Sequence, residues 1–378
     1  MTTRAVVQPE LVASVCSSVR DLDGDVDELI DTAVRRLAPL ATAPERQALI
    51  AAARAQMSGL GQLDAMVADP MVDEVLVVGN DIWVDRCGRL ESVGMLTGTS
   101  VEHVIERVLA PIGRRVDRTS PIVDARLADG ARVCAVVAPV AVNGSALSIR
   151  RFATEVRPLS DFTDDNGADL LRNIVAARCN VIVCGSTSSG KTSLLASLLD
   201  LVDDSERIVV MEDTTELPCR APHQVRLEAR PETAEGVHPV VLSDLVRTAL
   251  RLRPDRMVVG EVRSDECLAL IQAMNTGHDG SFSTCHANSP LDALLRLESL
   301  ILQAAPQWPL QAVRQQLFRS IDVVIQVDRS GGQRRVTSVR EVNKPVLDGS
   351  AATPGTRLLG ELCNGGFRLD AQLQRTRR

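Results

Sequence analysis

The chain of 378 residues contains no tyrosine, and its aromatic content is only 2%. Its core must therefore be packed from aliphatic side chains, and it has few rings on which nucleic-acid bases could stack. No apolar run approaches the roughly 20 residues of a membrane-spanning helix, and the start MTTRAVVQPELVASV lacks the apolar stretch of a signal peptide. These absences predict a cytoplasmic protein.

Lysine is also scarce, because only Lys191 and Lys344 stand among 42 basic residues and all the others are arginine. The nine cysteines are scattered, odd in number and without a CxxC pair, which favours reduced thiols. The formal net charge is −7. An acidic chain is not expected to bind nucleic acid directly, although the sequence leaves a local basic channel open.

The length predicts two domains with smaller additions. Residues 1–60 predict a helical N-terminal appendage, because apolar residues recur at helical spacing. These are Val26, Leu29, Ile30, Ala33, Val34 and Leu37. Residues 61–157 predict a mixed α/β domain, in which VDEVLVVGNDIWVDRCGRL forms a hairpin around Gly-Asn-Asp, a helix covers about 101–112, and ARVCAVVAPV and SALSIRRF form strands.

From residue 158 to 330 the pattern becomes strand, glycine-rich turn, helix and strand. That alternation is typical of a mostly parallel sheet with helices on both faces, so the fold class is α/β. The polar stretch 157–169 separates the two domains, and the Gly- and Arg-rich segment 331–378 predicts edge hairpins and a tail.

The most specific motif is NVIVCGSTSSGKTSLLASLL, in which an apolar strand enters a glycine-rich turn and then an apolar helix. Glycines let the backbone N–H groups point at phosphate oxygens, and the helix N-terminus adds partial positive charge. The turn therefore predicts an ATP site. Its predicted nucleotide-binding residues are Gly185, Ser186, Thr187, Ser188, Ser189, Gly190, Lys191, Thr192 and Ser193.

Lys191 supplies a compact charge for the β- and γ-phosphates, which the wide fork of arginine cannot reproduce in so tight a loop. A chain that otherwise uses arginine keeps one of its two lysines here. The hydroxyl of Thr192 is the predicted protein ligand of Mg²⁺.

Hydrolysis also requires groups that position water and metal. Glu212 and Asp213 follow the apolar strand of RIVVMEDTTEL, with Glu216 slightly farther on, and Glu261 follows the strand of RPDRMVVGEVRSDE. In a parallel sheet the carboxyl ends of the strands face the ligand. Glu261 resembles a variant Walker B carboxylate that orders either Mg²⁺ or the attacking water. The alternatives are a solvated acidic turn at the first site and a structural pair with Arg263 at the second.

The stretch NTGHDGSFSTCHANSP holds two of the five histidines, His278 and His286. An imidazole can donate a hydrogen bond to a γ-phosphate and lose that contact after hydrolysis. A structural role remains the alternative for both residues.

These blocks together are similar to the ATPase family of type II and type IV secretion machines, and most closely to its tight-adherence pilus (CpaF-like) branch. The phosphate loop, MEDTTEL, DLVRTALRLRPDRMVVGEVR and GHDGSFSTCHANSP occur in the family's order, and MVDEVLVVG and VNGSALSIRRF also resemble that branch.

The resemblance implies a RecA-like ATPase domain preceded by a smaller PAS-like domain. It implies a homo-hexamer that pushes inner-membrane platform proteins and contacts the membrane only through them. Lys191, Glu212, Glu261 and His286 then become the catalytic residues, with Thr192 and Glu261 at Mg²⁺ and His286 sensing the γ-phosphate. Because the four-cysteine zinc module of some members is absent here, no zinc is expected.

The resemblance also implies arginines that reach the nucleotide from another domain or subunit. The sequence leaves their identity open among Arg126, Arg132, Arg150, Arg151, Arg226, Arg230, Arg247, Arg251 and Arg263. Two other functions also stay open: a helicase or DNA-translocating motor, and a scaffold that binds ATP but barely hydrolyses it.

Overall fold

The computed structural model describes residues 9–19, 26–57, 60–86, 88–127, 130–151, 155–230, 238–330, 332–343 and 355–375. The chain divides into two compact units, residues 1–152 and 153–378. The domain limits predicted from the sequence stay a prediction. No helix within the described ranges has the length and apolarity that crossing a membrane requires.

The first unit begins with three helices that pack on one another. Their bounds are α1 (Pro9–Val19), α2 (Val26–Leu37) and α3 (Ala43–Met57). The apolar face predicted for α2 is buried at Ile30, Ala33 and Val34, which meet Val15 of α1 and Ala53 of α3. The periodicity of the sequence therefore identified the side of α2 that packs, except at its end, where Leu37 is exposed.

A six-stranded antiparallel sheet with two helices follows in the same unit. Its elements are α4 (Asp64–Val67), β1 (Glu74–Val78), β2 (Asp81–Arg86), β3 (Arg89–Met95), α5 (Val101–Leu109), β4 (Ile122–Arg126), β5 (Arg132–Val136) and β6 (Ala146–Arg150). The strand order is β3-β2-β1-β6-β5-β4. The predicted hairpin joins β1 to β2, and Gly79 provides the positive φ of 59° that its tight turn requires.

The second unit is built on a nine-stranded sheet. Its elements are α6 (Asp165–Ala176), β7 (Val181–Gly185), α7 (Lys191–Leu199), β8 (Ile208–Glu212), β9 (Gln224–Glu228), α8 (Leu242–Ala249), β10 (Arg256–Val259), α9 (Glu266–Met274), β11 (Phe282–His286), α10 (Pro290–Ala304), α11 (Leu310–Ser320), β12 (Val323–Ser330), β13 (Gln333–Val342), β14 (Thr356–Cys363) and β15 (Gly366–Leu369). The strand order is β15-β14-β13-β12-β7-β11-β10-β8-β9.

The sheet is parallel from β12 to β9 and antiparallel through β13, β14 and β15. Strands β7, β8 and β10 are buried along their whole length, because helices cover both faces of the parallel part. Along β7, Val181 and Val183 pack on one face with α6 and α7, whereas Ile182 and Cys184 pack on the other with α9 to α11. The carboxyl ends of the parallel strands therefore meet at one edge.

The last described residues are tied into this unit by a buried ion pair. The side chain of Arg375 is 7% exposed, and its Nη1 donates to the carbonyl of Ile321 at 2.5 Å and to Oδ1 of Asp322 at 2.8 Å. The other carboxylate oxygen of Asp322 accepts the backbone N–H of Asn180 at 2.8 Å. The arginine therefore neutralises a carboxylate that lies immediately before β12.

We expect Arg375→Ala to destabilise the second unit by about 3 kcal/mol, because it leaves the carboxylate of Asp322 buried and only partly compensated. The chain has two tryptophans, and Trp308 belongs to this unit whereas Trp83 belongs to the first. A Trp83→Phe background therefore makes urea unfolding, followed by fluorescence, report on the second unit.

The matched control is Arg368→Ala, which removes an exposed arginine paired with Glu361 on the same sheet. An exposed pair contributes about 1 kcal/mol or less. Equal losses of unfolding free energy in the two variants would contradict the role assigned to Arg375.

Candidate functional site

The loop between β7 and α7 is shaped by two glycines. A Cβ atom on Gly185 would overlap the carbonyl oxygen of Val327 and lie 2.5 Å from Oγ of Ser189, so only glycine fits. Gly190 has a φ of +104°, which side-chain-bearing residues rarely adopt. The backbone therefore turns tightly between the strand and the helix.

The helix α7 begins at Lys191, immediately after this turn, and no side chain among the described residues caps it. An uncapped helix N-terminus leaves backbone N–H groups and a partial positive charge for an anion. Thr192 and Ser193 lie half-exposed in its first turn. The local structure is that of the predicted phosphate loop.

Ser188 has a positive φ of 59° although it is not glycine. Such a conformation costs on the order of 1 kcal/mol, and residues of this kind cluster at functional sites. The loop therefore keeps a strained residue at its tip, where the chain turns from β7 towards α7.

Lys191 is nearly enclosed, with 7% of its surface exposed. Its Nζ donates to the carbonyl oxygens of Gly185 at 3.2 Å and Ser186 at 2.8 Å, and lies 3.2 Å from Nδ1 of His286. Burial lowers the pKa of the ammonium, and the charge of Glu261 opposes that change. A buried cation held only by neutral groups would gain from an anionic ligand.

His286 links Lys191 to Glu261. Its Nε2 lies 3.0 Å from Oε1 of Glu261, and Arg263 contacts Oε2 of the same carboxylate at 2.6 Å. Since Nδ1 faces the ammonium of Lys191, we assign the ring proton to Nε2. The structure thus brings together Lys191, Glu261 and His286, which are far apart in the sequence. The alternative pairing of Glu261 with Arg263 is also present.

Oε1 of Glu261 is buried, and among the described residues no donor reaches it with hydrogen-bond geometry. The 3.0 Å contact with His286 is therefore an electrostatic contact rather than an aligned hydrogen bond. Oγ of Ser189, in the phosphate loop, is also buried and has no hydrogen-bond partner among the described residues. Such buried polar atoms are costly to leave unpaired, so a water, an ion or a ligand group is expected to satisfy them.

Glu212 lies at the end of β8 and is engaged differently. Its Oε1 accepts the backbone N–H groups of Glu216 at 2.9 Å and Leu217 at 2.8 Å, and its Oε2 lies 3.4 Å from Nη2 of Arg226. Burial raises the pKa of this carboxyl. Its Cγ occupies the space where Gly260, one strand away, would carry a Cβ. Glu212 therefore fixes its own loop, and its predicted catalytic role stays a prediction.

The acidic loop after β8 also adjoins Glu261 electrostatically. The hydrogen bond to Glu261 raises the pKa of Arg263, and the charges of Asp213 and Glu216 add to that effect. The two acidic segments predicted from the sequence therefore share one arginine between them.

The two histidines of the predicted histidine segment separate. His286 ends β11, whereas His278 precedes that strand and thus lies at the opposite edge of the sheet. Nδ1 of His278 is 3.2 Å from the carbonyl of Ala273 at the end of α9. His278 has a structural contact, and the phosphate loop meets only His286 of the two.

Of the nine candidate arginines, Arg226 contacts Glu212 and Arg263 contacts Glu261. Five others have local partners: Arg126 with Gly130, Arg132 with Asp124, Arg151 with Asp69, Arg230 with His238 and Arg247 with Asp244. Arg334 was not among the predicted residues, yet its Nη1 donates to Oγ of Ser193 at 3.5 Å. In the sequence it is marked only by the pair Arg334-Arg335, which follows two glycines.

Within the described ranges, no three His, Cys, Asp or Glu side chains converge to hold a metal. A Mg²⁺ ion bound together with a nucleotide needs only one or two protein ligands, because phosphate oxygens and waters supply the others. The arrangement suits a magnesium nucleotide, and the expected absence of zinc stays a prediction.

The comparisons with known proteins agree with this geometry. The model of the type II/IV secretion system protein family matches residues 56–350. A putative conjugal transfer protein of Mycobacterium tuberculosis is 37% identical over 299 residues, which cover 75% of this chain and 84% of that protein. The conjugal transfer protein TrbB of Rhizobium radiobacter is 32% identical over 289 residues, which cover 74% and 86%.

Solved structures support the fold. The pilus retraction motor PilT, crystallised with ADP, aligns with a TM-score of 0.55 and 19% identity over 76% of this chain and 83% of its own. The ATPase DotB of Legionella pneumophila aligns with a TM-score of 0.50 and 21% identity over 70% and 75%. The predicted RecA-like α/β fold is confirmed, whereas the tight-adherence pilus branch stays a prediction. With the family model covering most of its length, the chain belongs to the type II/IV secretion system ATPase family.

Proposed function

We propose that this ATPase is a homo-hexameric motor that powers pilus assembly or protein secretion by acting on inner-membrane platform proteins. The observation that carries the proposal is the convergence of Lys191, His286 and Glu261 beside the phosphate loop. The names of its relatives, conjugal transfer proteins and a pilus retraction motor, support a role in a transport machine.

The loop binds the phosphates of ATP. Lys191 exchanges neutral carbonyl partners for phosphate oxygens, and a hydrogen bond between two charged groups is about twice as strong as one between neutral groups. Thr192 and Glu261 hold Mg²⁺, which when bound neutralises charge that develops on the β- and γ-phosphates. Glu261 acts on the ion through a bound water, for which its buried, unsatisfied Oε1 is the acceptor.

Glu261 also orients the attacking water. Its Oε2 is already held by Arg263, so the carboxylate keeps one fixed oxygen and one that can accept a proton donor. Glu212 lies on the adjacent parallel strand but accepts two amide N–H groups, which suits a carboxylate that shapes the site. We assign water positioning chiefly to Glu261.

His286 reports the state of the γ-phosphate. Burial lowers the pKa of its imidazole, and the charge of Lys191 lowers it further against the opposing charge of Glu261. A neutral ring carries its proton on Nε2 only, so its single donor distinguishes the presence of a phosphate acceptor from its absence. The neutral form is therefore the one that serves as a sensor at physiological pH.

Two substitutions separate nucleotide binding from hydrolysis. Lys191→Ala should weaken Mg-ATP binding by at least about tenfold, because a charged hydrogen-bond donor is lost. Glu261→Gln should keep ATP but lower turnover by about a hundredfold, because a neutral amide is a weaker acceptor for the attacking water than a carboxylate. Calorimetry measures the first effect, and release of inorganic phosphate measures the second.

Asp265→Asn is the matched control for Glu261→Gln, because it removes an exposed carboxylate four residues farther along. It should turn over ATP at the wild-type rate. An equal loss of ATP binding in Lys191→Ala and Glu261→Gln would contradict the division of roles.

The free energy of unfolding should depend on pH through His286. Since the pKa of His286 is lowered in the folded chain, the unfolded chain takes up this proton first as the pH falls below about 6.5. The contribution of neutral His286 to the free energy of unfolding is therefore fully present above about pH 6.5 and is lost as the pH falls below it. Between pH 7 and pH 5 the wild type should lose more free energy of unfolding than His286→Gln does.

Histidine NMR provides an independent measurement of the same property. One of the five histidine signals should titrate below pH 6.5 and be missing from the spectrum of His286→Gln. A midpoint for His286 above 6.5 would rule out a neutral sensor.

The proposed hexamer can be tested by measuring the number of subunits in solution. Sizing by light scattering should show a species of six subunits when a non-hydrolysable ATP analogue and Mg²⁺ are present, and the same sample of wild type should release phosphate from ATP. A monomer under all conditions would refute the ring. Stimulation of turnover by DNA would favour a DNA-translocating motor, and ATP binding with no turnover, even with membrane partners, would favour a scaffold.

A further inference from the structure

The hairpin formed by β12 and β13 extends beyond the end of β7 and lies on the phosphate loop. The last residue of β12 that pairs with β7 is Gln326, opposite Cys184, whereas β12 continues to Ser330. The carbonyl oxygen of Val327, in this extension, occupies the space beside Gly185 where a Cβ would be. The hairpin is therefore a wall of the site.

Arg334, the second residue of β13, brings its side chain to the start of α7. Its Cδ lies 2.6 Å from the position that a Cβ on Gly190 would take, and its Nη1 donates to Oγ of Ser193 at 3.5 Å. The guanidinium thus adjoins the helix N-terminus that binds phosphate.

Arg329 stands directly opposite Arg334 in the register of the hairpin. Directly opposite residues share one face of an antiparallel pair, and like charges there are destabilising. Both arginines are half-buried, and the N-terminus of α7 adds further positive charge. This face of the hairpin therefore places two guanidinium groups beside the start of α7.

The order of the strands determines which part of a nucleotide lies there. In the sheet, β7 has β12 on one side and β11 on the other. His286 ends β11 and contacts Lys191, so the γ-phosphate end lies on the β11 side. Arg334 approaches from the β12 side, where the α-phosphate end must lie.

We propose that Arg334, supported by Arg329, binds the α-phosphate of the nucleotide. This inference rests on the proposed ATP site and assigns it a further binding residue. Since ATP and ADP share the α-phosphate, the contact holds both nucleotides equally, and it therefore adds to affinity without distinguishing substrate from product.

The test compares Arg334→Ala with Arg335→Ala by isothermal calorimetry with Mg-ADP and with a magnesium complex of a non-hydrolysable ATP analogue. Arg335 is the matched control, because it is the next residue, carries the same charge and is exposed, with its guanidinium bound to Gln333. We expect Arg334→Ala to weaken both nucleotides by the same factor, roughly tenfold. Arg335→Ala should bind both as the wild type does.

Arg334→Lys gives a second measurement, because it keeps the charge and loses the planar fork. It should recover part of the affinity for both nucleotides. Melting curves without nucleotide show whether each variant is folded at the temperature of the titration.

Four outcomes separate the claims. If the wild type binds neither nucleotide, the proposed function itself fails. If the wild type binds both and Arg334→Ala matches Arg335→Ala, only the role of Arg334 is overturned. Weaker binding of the ATP analogue alone would place Arg334 at the γ-phosphate and also overturn it. A lower melting temperature with unchanged affinity would make Arg334 a structural residue.

Discussion

The site depends on a buried ammonium group at the edge of a parallel sheet. Lys191 is nearly enclosed, yet its partners are two carbonyl oxygens and an imidazole, so its charge is only partly compensated. The nearest compensating charge belongs to Glu261, which is shared with Arg263. The positive charge at this loop is what the proposed binding of a polyphosphate would neutralise.

The sequence predicted the local parts of this site well, because each of them lies within one strand and the turn after it. The phosphate loop, Glu212, Glu261 and His286 all follow apolar strands, and parallel strands put such residues at one edge. Their partners could not be predicted in the same way. The approach of Arg334 to Ser193 depends on a contact between residues far apart in the chain. The amides bound by Glu212 are only four and five residues farther along, but they reach its carboxylate through an irregular turn that no periodicity in the sequence records.

The first unit shows a related limit. The hairpin of β1 and β2 was predicted from a tight turn between apolar runs, whereas β3 and β4 were not. Every residue of β3 is exposed, so the strand has no alternation of apolar and polar residues to reveal it. Strands at the edge of a sheet are set by pairing with a neighbour, and periodicity along the sequence does not record that pairing.

Strand β12 is fixed at both of its ends. Arg375 pairs with Asp322, the residue before the strand, while the carbonyl oxygen of Val327 lies beside Gly185, in the space that a Cβ there would need. One strand therefore joins the buried ion pair at the end of the described chain to the backbone of the phosphate loop, so the C-terminal residues and the candidate site belong to one continuous piece of structure.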